Sequence, residues 1–180
     1  MADNTQNILK SAIKSLEQVV APAVNPEDPL ASEQLRLVIG TLKVLRTRLD
    51  HLAGRQLYEL DHYLALARSL RDEADEVSPE IAERLCAAIE AAEQLRANPD
   101  HSPADRRRVT RALASPISAL AREASSTHEA LRSRIERKVV TDSRRWVDMQ
   151  RAWFLTHGFE LRPSELPALD TLFHQPPGRA

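Results

Sequence analysis

The sequence predicts an all-α protein, a helical bundle of five or six helices. Three observations carry that expectation. Apolar residues return every three or four positions through most of the chain. Prolines and capping residues cut these stripes into helix-sized pieces. Strand markers are missing, with neither Val/Ile/Thr-rich alternation nor Asn-Gly-type hairpin turns. Composition agrees: 4 Gly in 180 residues and 4% aromatics leave a chain rich in Ala, Leu, Arg and Glu. Such residues lose little conformational freedom in a helix.

The first segment, about Asn4 to Val20, sets Ile8, Ala12, Ile13, Leu16, Val19 and Val20 on one stripe, and Pro22 and Pro26 end it. Asp28 then offers an N-cap and Pro29 a first helical position. Leu35, Val38, Leu42, Leu45, Leu49 and Leu52 follow at alternating three- and four-residue steps, an a/d seam. A second row, Leu30, Leu37, Thr41 and Val44, widens the seam into a bundle face. Past Gly54 the apolar row slips by one residue, to Leu57, Leu60, Leu64 and Ala67. No proline or cap stands there, and a lone glycine costs only ~1 kcal/mol in a helix. The reading is one long helix over about 29–75, bent near Gly54, with a break at that glycine as the alternative.

Ser78-Pro79-Glu80 restarts the chain, and Ile81, Leu85, Ala88, Ala92 and Leu95 carry the next stripe up to Asn98-Pro99. Ser102-Pro103-Ala104-Asp105 starts another helix, which Ser115-Pro116 either kinks or ends. From there to His157 neither proline nor glycine occurs, so a second long helix is expected over about 116–157. Gly158 suits a left-handed helix terminus, with Phe159 folding back on Phe154 in a Schellman arrangement. A short helix is expected within 164–173. One domain is expected over residues 1–174, with 175–180 a disordered tail.

A continuous helix over 29–75 would span about 60–70 Å at ~1.5 Å per residue. A compact domain of this size has a radius of gyration of ~16 Å. Helices that overhang a monomeric core leave apolar seam exposed, so a homodimer or higher oligomer is expected.

Charge excludes some classes. The net charge is −1, so no global field points to nucleic acid or membrane. No apolar run approaches the ~20 residues of a membrane helix. The single cysteine, Cys86, allows no intrachain disulfide, and the first residues show no leader pattern, so a cytoplasmic protein is expected. Signatures of phosphate loops, nucleophile elbows, His-Glu-x-x-His zinc sites and Cys-x-x-Cys pairs are missing. No cofactor and no catalytic role is therefore expected.

Three groups of residues merit a chemical reading. Glu59 and His62 form a Glu-x-x-His spacing, which on a helix sets carboxylate and imidazole on one face. Di-iron bundles use two such motifs, and this chain has one, so only a dimer could complete the site. Asp50-His51 and Asp61-His62 stand eleven residues apart, which on an unbroken helix is nearly the same face. With Gln56 and Tyr58 they would make a polar strip, read either as a ligand pocket or as a partly solvated bundle face. Arg106, Arg107, Arg108 and Arg111 form a basic first turn, and Arg132 to Arg151 extend it along the last long helix. Acidic residues interrupt that track, so a solvated face is expected rather than nucleic-acid binding. Trp146 and Trp153 are expected in a core, and the acidic run 72–76 at a solvated helix end where helix gives way to loop. The functional expectation is a self-associating interaction protein, with a possible protein partner. The alternatives are a small-molecule or metal-binding bundle using Glu59 and His62, and nucleic-acid binding through the arginine-bearing helices.

Overall fold

The computed structural model describes residues 4–98, 100–155 and 160–174. The chain is an all-α helical bundle, with no strand among the described residues. Helices are more numerous than five or six because the expected long helix over 29–75 is divided into three. We number them α1 (Asn4–Ser15), α2 (Pro29–Arg48), α3 (Leu52–Ser69), α4 (Arg71–Val77), α5 (Pro79–Ala97), α6 (Pro103–Glu123), α7 (Glu129–Phe154) and α8 (Leu169–His174). The chain forms two compact units. The expected stop at Pro99, the Gly158–Phe159 terminus and the tail 175–180 lie outside the described residues.

The first unit holds residues 1–52 and 156–158, and its described part is the hairpin of α1 and α2. Helix α1 runs on through a π-helical turn, Leu16–Val20, and a last α turn, Ala21–Ala23. Pro22 explains the turn. Its ring clashes with the carbonyl four residues back and it has no N–H to donate. The ladder widens there, and Ala21 N–H donates to Leu16 O instead. Asp28 Oδ1 accepts from Ala31 N at 2.9 Å and Pro29 opens α2, as the sequence indicated. Ile13 is the buried apolar side chain of this hairpin, a contribution of about 2–3 kcal/mol.

The second unit holds residues 53–155 and 159–180. Its main core gathers Leu60, Leu64 and Leu70 with Leu85 of α5, Leu113 and Leu120 of α6 and Ile135 of α7. A smaller cluster holds Met149, Ala152 and Trp153 against Leu169, with Trp146 and Phe173 packed on it. Trp153 is therefore a core residue, as expected, and Trp146 is half-buried at the edge of the cluster. Ser102 and Asp105 form a reciprocal capping box at the start of α6.

The stretch 29–75 is interrupted elsewhere than at Gly54. A 3₁₀ turn, Leu49–His51, separates α2 from α3, and Gly54 lies inside α3. Glycine is required at that position because a Cβ would sit 2.9 Å from Phe173 Cβ. A second interruption falls at Leu70 (φ −94°, ψ 0°). There Lys138 Nζ donates to Ser69 O at 2.6 Å. The ammonium holds a carbonyl that an unbroken helix would use internally.

The stretch from Pro116 behaves likewise. Helix α6 passes straight through Pro116, which is buried in its interior. Ser115 is not a cap; its Oγ accepts from Arg84 Nη2 at 3.2 Å. The break comes at Ala124–His128, where the Ser125 and Thr127 hydroxyls donate to the carbonyls of Arg122 and Ala124. His128 Nδ1 then accepts from Leu131 N and caps α7. The uninterrupted members are thus 20 residues in α2 and 26 in α7, or about 30 and 39 Å. The overhang argument for self-association loses its premise, and self-association needs a different footing.

Candidate functional site

The polar residues singled out by sequence are dispersed into structural roles. Asp50 and His51 belong to the first unit, in the 3₁₀ turn after α2, where Asp50 Oδ2 accepts from Gln6 Nε2 at 3.4 Å. Gln56, Tyr58, Glu59 and His62 belong to α3 in the second unit. Gln56 Oε1 accepts from Arg106 Nε at 3.3 Å. The Tyr58 hydroxyl donates to Arg145 O at 3.1 Å, and burial raises its pKa above the usual phenol value. Asp61 is ion-paired with Arg96 Nε at 2.8 Å. Burial nevertheless raises its carboxyl pKa, with Arg96 opposing. The regular helix that would have stacked the two Asp-His pairs does not run through both.

His62 lies in an aromatic environment. Its ring stacks on Trp146 (centroids 5.2 Å apart, planes 10° apart) and meets Tyr63 edge-on at 5.2 Å. Burial lowers its pKa from 6.5, and the negative charge of Asp142 partly opposes this. Asp142 Oδ2 itself accepts from Ser69 Oγ at 2.6 Å. The charge that His62 senses thus comes from α7. Among the described residues no group of three or more His, Cys, Asp or Glu is placed to hold a metal ion.

The acidic run brought a correction. Residues 72–76 stay helical in α4, and Glu73 is buried rather than solvated. Lys138 Nζ bonds Glu73 Oε2 at 2.6 Å, and Arg134 approaches Oε1 at 3.8 Å while also pairing with Glu76. The arginine cluster is divided too. Arg106 binds Gln56, and Arg108 Nη2 binds Asp105 Oδ1 at 3.2 Å, whereas Arg107 and Arg111 face solvent. Sequence reasoning also missed Arg55, whose guanidinium lies 4.5 Å from the Trp153 ring centroid. Nothing local marks that pairing, since the partner stands almost a hundred residues on.

The feature that stands out is apolar. On the hairpin of the first unit, Ile8 and Val19 of α1 and Leu30, Leu37, Val38 and Leu45 of α2 are exposed. The a/d seam read from sequence is split by this packing. Leu35, Leu42 and Leu49 are half-buried, while Val38 and Leu45 stay 49% and 42% exposed. The other side of the hairpin is charged. Glu17 and Lys43 pair across it at 2.6 Å, beside an open groove of about 360 Å³ that they line with Ser32 and Arg36. Arg36 is itself held by Glu33. In the second unit a thinner apolar line, Val140, Val147 and Phe154, is exposed along α7. No helix among the described residues is long and apolar enough to cross a membrane.

Comparison with known proteins finds no matching family model, no matching curated protein and no matching solved structure.

Proposed function

We propose that this chain is a non-enzymatic interaction protein that works by presenting a helical surface to itself and to protein partners. The observation that supports this is the row of large apolar side chains left exposed on the α1–α2 hairpin. Scattered exposed leucines are ordinary, but a contiguous apolar row on one element marks an association surface. The polar candidates support the reading from the other direction. Gln56, Tyr58, Asp61 and Arg106 have partners within the fold. A cytoplasmic setting belongs to the proposal, on the strength of the single Cys86. Sedimentation velocity of the full chain at micromolar concentration is expected to show an associated species. A monomer throughout that range overturns the self-association.

A further inference from the structure

We propose that a second copy of this chain docks on the apolar side of the α1–α2 hairpin, so that two hairpins close a four-helix bundle. The inference rests on the self-association reading above and assigns it a surface and an arrangement.

The first argument is the sorting of charge. The two helices run antiparallel, joined by the Glu17–Lys43 ion pair and by Gln6–Asp50. On a 3.6-residue helix Ile8, Ala12 and Val19 lie roughly 140–180° around from Glu17. Val38, Thr41 and Leu45 lie as far around from Lys43. Both rows therefore share the side of the hairpin opposite the ion pair. By the same geometry Lys10, Lys14, Glu33 and Arg36 fall outside that side, which is neutral from Asn4 to Leu45; Arg48, at the end of the row, is its one charged side chain and is buried. A neutral surface can meet its own copy across a two-fold axis without setting like charges face to face.

The second argument is incompleteness. Ile13 is the buried apolar side chain of this hairpin, and two helices make a single layer, whose apolar side needs a second layer to hide it. An identical hairpin supplies one of matching length.

The third argument is size. Two helices about 30 Å long at ~9 Å spacing present roughly 550 Å² per copy. The pair would bury ~1,100 Å², just above the ~1,000 Å² a specific interface needs. Ala12 and Thr41, small side chains within the rows, leave room for close approach.

Other occupants fit less well. A lipid surface is met by helices whose cations flank the apolar face, and here the lysines stand opposite it. A foreign partner is usually selected by charged or large aromatic anchors, and this side exposes neither, its one arginine, Arg48, being buried.

The test is analytical ultracentrifugation of the full chain carrying Val38→Glu and Leu45→Glu. Both side chains are nearly half exposed in the single chain, so helix content by circular dichroism should persist. The dimer dissociation constant should rise about 100-fold or more, because each copy would bury unpaired carboxylates. Val147→Glu, on the second unit, should leave the dimer unchanged. If the glutamate variant loses helicity, the milder Val38→Gln, Leu45→Gln pair decides, with an expected loss of about tenfold. A variant that dimerises as tightly as wild type overturns this surface and leaves self-association standing. Dimerisation abolished by Val147→Glu does the same and moves the interface to α7. A monomeric wild type overturns both.

Discussion

At the scale of single residues, burial decides what the ionisable groups do. His62 has the lower folded-state pKa, so the unfolded chain takes up a proton first. Stability present at neutral pH is therefore lost as pH falls through 6.5 towards the depressed value. Urea unfolding at pH 7.5 and 5.5 should show that decline, and His62→Gln should flatten it. Glu73 is a buried carboxylate paired with Lys138 and approached by Arg134. Removing one partner of such a pair strands the other. Lys138 is still 37% exposed through its side chain, so the full buried-pair penalty does not apply. Glu73→Ala should cost about 2 kcal/mol in urea unfolding, and the Glu73→Ala, Lys138→Met double variant should recover part of it. Recovery of none would mean the pair is not coupled.

At the scale of helices, starts were legible, as was the end of α5 at Ala97, and the interruptions within the long stretches were not. Asp28-Pro29 and Ser102-Pro103 each carry a cap and a proline within two residues, a signal that needs no tertiary partner. The break at Leu70 depends on Lys138, sixty-eight residues away, reaching the Ser69 carbonyl, and no local pattern encodes that. The break at Ala124–His128 had a local signal, the run Ser125-Ser126-Thr127, whose hydroxyls compete for backbone carbonyls. Such a run marks a helix end more weakly than proline or glycine does. Gly54 shows the converse error. Its conformation is helical, and its lack of a side chain serves Phe173. Gly54→Ala gains up to ~1 kcal/mol of helix propensity but presses a methyl into the base of that ring. Overpacking of this kind costs ~1–3 kcal/mol, so a net loss of about 1 kcal/mol is expected by thermal or urea unfolding. A stabilised variant would show that Phe173 gives way.

At the scale of the whole molecule, the class of fold follows from periodicity alone, because stripes at 3.6-residue spacing are hidden only by packing rods together. The candidate site did not follow. Asp50 and His62 looked alike in sequence, yet one is met by Gln6 and the other by Trp146, and neighbours are what a single sequence withholds. The apolar row on α2 was visible as a widened seam. Which part of it α1 would cover was not, since that depends on the phase in which the hairpin closes.

The sorting of charge on that hairpin has a thermodynamic corollary. Contact between uncharged sides carries little Coulomb energy, so added sodium chloride should leave the association unchanged or tighten it slightly. Its driving force is the release of water from aliphatic carbon, which fades on cooling and gives a negative heat-capacity change. Dilution calorimetry should therefore find the assembly weaker near freezing than at 25 °C, the reverse of what a joint held by ion pairs would show.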